Sequence, residues 1–436
     1  MALFPQDALN PGVRKREVFG WAMYDFANSG YTTVVLTAVF NAYFVSVVAG
    51  GASWATLAWS LVVSVSSFVV MLTLPALGAH ADLHAAKKRW LALSTGICVM
   101  GTVALAWAGP GDVWLAALAV GVSNVAYAYG ESLTAAFLPE LARPDSLGRV
   151  SGWGWSLGYL GGMLALGLGL AHVLHAQAAG EKATSFVPVV MLITAGLYAV
   201  ASLATFALLK ERAVARPVEP GLATGPGASL RRLGETWRQA RRYRDFCWFL
   251  ACNACYQAGI SVVITLAAVY AEQALGFKQA DTMLLIFLVN IASALGAFAF
   301  GYWQDRVGHK LALGTTLVGW VLMTAVAVLA TTAPLFWVAA LIAGLCMGSS
   351  QSAGRAMVGL FSPADRPGEF FGLWSFATRL SAIVGPLTYG LVTLVTQGNH
   401  RLAMASTALF FVGGLLLLWP VDIARGRRNA THSEEK

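Results

Sequence analysis

Four charged residues stand inside long apolar runs of this chain: Asp25, Glu131, Arg355 and Arg379. A charge held in hydrocarbon is costly, so such residues mark functional positions. Each has polar company at helical spacing. Asp25 is followed by Asn28, Ser29 and Thr32 at i+3, i+4 and i+7, one face of a helix. Tyr24, Asn28 and Tyr31 line up in the same way. Glu131 follows Tyr127 at i−4 and Asn124 at i−7, Gln351 precedes Arg355 by one turn, and Ser375 does the same for Arg379. Glu131 and Arg355 are 224 residues apart, about half the chain. A carboxylate and a guanidinium at matching places in two halves suit a zwitterion. Its ammonium would meet Glu131 or Asp25, and its carboxylate would take a bidentate contact from Arg355. A desolvated carboxylate is also a proton acceptor. Other readings of the Glu131–Arg355 pair are a latch on an inner gate or static packing. Both residues lie toward one end of their runs, and Asp25 is only ~9 Å along its helix at 1.5 Å per residue. Arg379 either reaches the solute or snorkels to the membrane interface.

The elements that hold these residues must be membrane helices. Of the 436 residues, 57% are hydrophobic and 11% charged, whereas soluble domains carry about 25% charged residues. Twelve apolar runs are each long enough to span a bilayer as a helix. They cover roughly 19–47, 55–77, 90–108, 113–137, 151–173, 186–209, 245–271, 280–302, 311–331, 335–360, 371–396 and 402–422. Twelve spans put both termini on one side. That side then holds 24 of the 29 Lys and Arg residues, and the other side only Lys182, Lys278 and Arg401. By the positive-inside rule the termini are cytoplasmic. The net charge of +8 is thereby a matter of topology and anionic lipid rather than of nucleic-acid binding.

One hydrophilic loop occurs twice. The first copy is Gly78-Ala79-His80-Ala81-Asp82, followed by Lys87-Lys88-Arg89. The second is Gly301-Tyr302-Trp303-Gln304-Asp305-Arg306-Val307-Gly308-His309-Lys310. Asp82 and Asp305 are 223 residues apart, and a duplicated helical bundle explains the repeat. The expected division is 1–209, a connecting segment 210–244, and 245–436. The connection carries Pro217, Pro220 and Pro226 and then a basic cluster. From Leu230 to Arg242 it reads equally as solvated linker or as an amphipathic surface helix.

No H-E-x-x-H or P-loop pattern is present, and neither catalysis nor a cofactor is expected. Cys252 and Cys255 read as packing residues on a helix, and His172 and His175 do not make a metal site. No cleavable signal peptide precedes the first span.

The two loops resemble the signature G-x-x-x-D-(R)-x-G-(R/K)-(R/K) of the major facilitator superfamily. The second copy matches through Gly301, Asp305, Arg306, Gly308 and Lys310; the first has His84 for the second glycine. The opening Gly20-Trp21-Ala22-Met23-Tyr24-Asp25-Phe26-Ala27-Asn28-Ser29-Gly30-Tyr31 is similar to the branch that contains the yeast vacuolar amino-acid effluxer. So are Leu138-Pro139-Glu140-Leu141 and Gly148-Arg149-Val150-Ser151-Gly152-Trp153-Gly154. The resemblance implies an all-α integral membrane protein with twelve transmembrane helices in two pseudo-symmetric six-helix bundles. It implies alternating-access efflux of amino acids or other small organic solutes, driven by an ion or proton gradient. Asp25, Asn28, Tyr31, Tyr127, Glu131, Gln351, Arg355 and Arg379 would line the solute or proton path. Gly78, Asp82, Gly301, Asp305, Arg306 and Lys310 would form a cytoplasmic gate, with Asp82 facing the eleventh helix near Phe370 and Asp305 the fifth near Ser151. Ordinary loop acids are the alternative for those two. Sugars, peptide fragments and drugs are alternative solutes, and a non-transporting sensor on the same fold is the alternative role. The expected setting is a bacterial inner membrane, with lipid and a small solute as partners and a monomer as the assembly.

Overall fold

A computed structural model of the chain describes residues 4–215, 243–275 and 279–431. Most of the connecting segment, with its Leu230–Arg242 stretch, lies outside the described residues, as do Lys278 and Lys436. The described residues are helical throughout their long elements. Twelve helices are long and apolar enough to cross a membrane. They are α1 (Lys15–Val48), α2 (Ala55–Leu83), α3 (Lys87–Trp107), α4 (Val113–Leu141), α5 (Pro144–Ala178) and α6 (Ala183–Leu208). After the connection come α7 (Arg244–Leu275), α8 (Gln279–Val307), α9 (His309–Leu329), α10 (Ala333–Phe361), α11 (Pro367–Val395) and α12 (His400–Leu418). A short α13 (Ile423–Thr431) ends the described chain.

The helices pack by a rule that adding six to each label reproduces. In the first half α1 lies on α5 and α6, α3 on α4 and α6, and α2 on α4; in the second, α7 lies on α11 and α12, α9 on α10 and α12, and α8 on α10. Two apolar cores result. One draws on residues from Phe4 to Leu209, with Ala356 and Leu360 added; the other draws on Tyr243 to Val421, with Ala135 and Ala136 added. The halves meet along α5 with α8 and along α2 with α11, again a pair related by adding six.

The repeated loop shows how far the symmetry extends. Gly308 precedes α9 with φ +92°, a conformation that costs residues with a Cβ about 1–2 kcal/mol. The residue that answers it, three beyond Asp82, is Ala85, with φ +49°. The sequence reading set His84 against the glycine. The backbone places Ala85 there, so the first loop also passes through a positive φ, at a residue with a Cβ.

Helix α1 is irregular where it meets the central cavity. Its α-helical part ends at Tyr31 and Thr32–Ala38 is π-helical. Such segments widen the backbone and commonly sit at functional sites.

Candidate functional site

A cavity of about 590 Å³ lies between the halves. Its first-half wall is polar, with Asp25, Asn28, Ser29 and Thr32 from α1 and Tyr127 and Glu131 from α4. The second-half wall is mainly apolar, with Ile264, Val289, Met323, Phe336, Met347 and Met404, and Thr265, Asn290, Gln351 and Arg355 among its polar members.

Two ion pairs cross between the halves beside this cavity; Asp25, Glu131 and Arg355 line it, and Arg379 stands behind its wall. In the first, Arg355 Nη1 donates to Asp25 Oδ2 at 2.6 Å. Its Nη2 donates to the Ser151 carbonyl at 2.7 Å and its Nε to Ser151 Oγ at 3.1 Å. The guanidinium lies over the rings of Trp21 and Trp155, 4.7 and 5.3 Å from their centroids. It is 3% exposed and its partner 14%. Gly154 makes room for the assembly, because a Cβ there would stand 2.5 Å from Arg355 Nη2 and 2.8 Å from the Trp21 ring.

The second pair joins Arg379 Nη2 to Glu131 Oε2 at 3.1 Å, with side chains 15% and 31% exposed. Arg379 lies 5.7 Å over Tyr127, which stacks on Tyr31 at 5.4 Å. The sequence expectation of a Glu131–Arg355 pair is therefore corrected. Positions at the repeat offset are related by the pseudo-twofold axis and stand across it from each other. Helix α4 packs on α11, and α10 packs on α5, so each charge meets a partner from a different helix. Nor does Arg379 snorkel to the interface, since it pairs directly with Glu131 of the other half.

The other expected residues divide. Asn28 faces the cavity and its Oδ1 accepts from Tyr198 Oη at 2.7 Å. Gln351 is on the cavity wall and exchanges hydrogen bonds with Gln257 of α7 at 2.9 and 3.2 Å. Tyr31 is buried behind the wall, its hydroxyl on Ser123 Oγ at 2.7 Å. Asn124 donates to Ser66 Oγ at 2.6 Å, away from the cavity. Sequence reasoning overlooked Trp21, Ser151, Trp155 and Gln257. The signal for three of them was adjacency: Trp21 opens the stretch that holds Asp25, and Ser151 and Trp155 flank Gly154.

At the face of the membrane where the termini lie, the two loop carboxylates cross between halves. Asp82 accepts from the Gly368 and Glu369 N–H groups at the start of α11, both at 3.0 Å. Asp305 accepts from Gly148 and Arg149 N–H in the first turns of α5, at 2.9 and 3.1 Å. These are unpaired N–H groups at a positive dipole end, where a carboxylate is favoured. The targets fall one to three residues before the expected Phe370 and Ser151. Gly78 and Gly301 let the backbones approach: a Cβ on Gly78 would collide with the Gly368 carbonyl, and one on Gly301 would stand 2.7 Å from the Gly148 carbonyl.

Lys310 is not part of this cross-half contact. Its Nζ donates to the Trp419 and Val421 carbonyls at 2.6 and 2.8 Å, capping the end of α12 in its own half. Lys88 does the same for Leu209 after α6 at 2.6 Å. Arg306 is exposed and makes no ion pair among the described residues. Beside the first loop, buried Lys87 pairs with Glu140. Glu211 accepts from the N–H groups of Lys87 and Lys88 at 2.7 and 3.1 Å. Burial pushes the Glu211 carboxyl above its usual range, with those two N–H groups pulling the other way.

Comparison with known proteins agrees with this architecture. The family model described as vacuole effluxer Atg22 like matches residues 41–431. The chain belongs to that family. The chain is 26% identical over 404 residues to an uncharacterized transporter of the major facilitator type, YxiO of Bacillus subtilis, covering 91% of this chain and 93% of that one. It is 24% identical over 328 residues to autophagy-related protein 22-1 of Aspergillus niger, covering 70% of this chain and 52% of that one. The match thus spans about half the length of that fungal relative. Among solved structures, the human organic anion transporter MFSD10 shares the fold with a TM-score of 0.73 at 15% identity, over 93% of this chain and 99% of that one. A bacterial homologue of the iron transporter ferroportin superposes with a TM-score of 0.68 at 14% identity, over 93% and 98% of the two chains. This Atg22-like chain is a multi-pass membrane transporter of the major facilitator type, not an enzyme.

Proposed function

We propose that the protein exports amino acids by alternating access, and that the Glu131–Arg379 pair is the part of the site that a zwitterion opens. One observation carries the reading: in two ion pairs beside one cavity the first half supplies both carboxylates, which line it, and the second half both guanidiniums, of which Arg355 lines it. A solute with an ammonium and a carboxylate can replace that contact with equivalent ones, Glu131 taking the ammonium and Arg379 the carboxylate. The pair is the more accessible of the two, and among the described residues Arg379 has no second hydrogen-bond partner of the kind that Ser151 gives Arg355. Asp25–Arg355, nearly fully enclosed and stacked between tryptophans, acts as the latch that keeps α1, α5 and α10 together. The apolar wall of the second half receives an apolar side chain. Direction follows the family's description as an effluxer.

The Asp82 and Asp305 contacts close the face bearing the termini, which the charge bias makes cytoplasmic. In this reading the cavity faces outward, and release of those contacts opens it inward. Coupling to a proton gradient would run through Glu131, the acid freed whenever the pair parts. Counterflow of radiolabelled neutral amino acids in proteoliposomes tests the proposal. Uptake that saturates, is competed by zwitterions and not by sugars, and is lost in Glu131→Gln supports it. Counterflow of sugars or organic anions with no amino-acid competition removes it.

A further inference from the structure

We propose that the outer surface between α2, α3 and α4 is a binding site for one anionic glycerophospholipid, with an acyl chain in an apolar groove and the phosphate at Arg89. The groove has a volume of about 630 Å³, within the range of small-molecule pockets (~300–1,000 Å³). It is separate from the central cavity and shares no lining residue with it. Its walls include Leu61 and Val65 of α2, Leu93 and Ile97 of α3, and Leu118 and Gly121 of α4. Leu61, Val65, Leu93 and Leu118 are each more than half exposed, and all lie within membrane-spanning segments, so hydrocarbon is what this surface meets.

Beyond the Trp90 indole at its end toward the termini, the groove offers little to a polar solute. Its serine hydroxyls are consumed within their own helices, Ser66 donating to the Val63 carbonyl at 2.8 Å and Ser94 to the Leu91 carbonyl at 3.0 Å. Ser66 also accepts from buried Asn124. A groove whose serine hydroxyls are already engaged fits a methylene chain.

The end toward the termini is different and selects the headgroup. Arg89 precedes Leu93 by four residues, so it stands one turn beyond it on the same face of α3. It is exposed and makes no hydrogen bond or ion pair among the described residues. Beside it Trp90 lines the groove and meets the His80 ring edge-on at 5.8 Å, and His80 stacks with exposed His84 at 4.1 Å. A tryptophan at this depth marks the headgroup level, and a guanidinium there is suited to a phosphate. The basic mouth and dry groove together match one anionic lipid.

Native mass spectrometry of the full chain, equilibrated in mixed micelles with equal phosphatidylglycerol and phosphatidylcholine, tests this. One phosphatidylglycerol is expected to be retained per chain, at least tenfold in preference to phosphatidylcholine. Gly121→Leu should abolish retention. A Cβ at Gly121 makes only an ordinary 3.9 Å contact with Val62, so the longer side chain projects into the groove. Arg89→Gln should keep a lipid but equalise the two headgroups. No retained lipid, or retention unchanged in Gly121→Leu, overturns the proposal. Should Gly121→Leu fail to fold, phosphatidylglycerol with a photoreactive acyl chain gives the answer: crosslinks within α2, α3 and α4 support the site, and crosslinks confined elsewhere remove it.

Discussion

Replacing Asp305 with Asn isolates the contribution of one cross-half contact to alternating access. Asp305 is 9% exposed and accepts two backbone N–H groups from the first turns of α5. Hydrogen bonds to a charged group contribute about 1.5–3 kcal/mol each, against about 0.5–1.5 for neutral ones. Asn keeps one acceptor oxygen for one N–H and turns its NH₂ toward the other, and it gives up the attraction to the helix dipole, about 0.3–1 kcal/mol. The closed face should lose about 2–3 kcal/mol, which shifts the equilibrium roughly 30- to 150-fold toward opening on that side. The shift is readable at Ser156, whose hydroxyl donates to the Ala294 carbonyl in the α5–α8 contact at 2.7 Å. In a background without the five native cysteines, Ser156→Cys should react with a membrane-impermeant maleimide added from the face of the termini. Its rate should rise at least tenfold when Asp305→Asn is added. The same rate with and without the change would refute the gate, provided that the thermal midpoint shows the variant folded.

Four further outcomes follow from the geometry. Arg355→Ala leaves Asp25 enclosed and unpaired, and breaking a buried pair in this way costs about 3–5 kcal/mol; the melting temperature of the detergent-solubilised protein should fall well below that of Arg379→Ala. Arg379→Ala should instead keep its fold and lose counterflow, and normal counterflow would count against the exchangeable pair. Ala85→Gly relieves a left-handed residue, so it should raise stability by about 1 kcal/mol, checked by thermal unfolding. Lys310→Ala removes a helix-end cap and should lower stability by about 1 kcal/mol or less with transport intact; accelerated labelling at Ser156→Cys would restore a gate role for Lys310.

Span number and much of the loop chemistry were legible in the sequence because hydropathy and charge are read one residue at a time. Lipid demands uninterrupted apolar runs, so all twelve spans could be found, with ends that differ by up to about seven residues where a helix runs on past its apolar stretch, as at Leu83 and Pro144. The carboxylates of Asp82 and Asp305 could be aimed at helix starts because a first turn always has free N–H groups. The pairing of the intramembrane charges was not legible. The 224-residue offset of Glu131 and Arg355 reports symmetry equivalence, and symmetry mates need not touch. Finding the Asp25 partner of Arg355 required the rotation of α10 against α5 and the gap left by Gly154. Lys310 was misread for a related reason. A motif shared by neighbouring residues does not tell which of them points across to the other half and which turns back to cap its own.

The split of charge between the halves bears on how the chain could be assembled. Two copies of residues 1–209 facing each other would bring four carboxylates to one cavity with no guanidinium among them, and two copies of the second half would do the reverse. Like-sign faces repel in a low-dielectric interior, so each half rejects itself and accepts the other. Cut within the connecting segment and expressed as separate polypeptides, the two pieces should recover one another as a one-to-one complex. The charge distribution proposed to read a zwitterion would then also be what tells each half which partner to take.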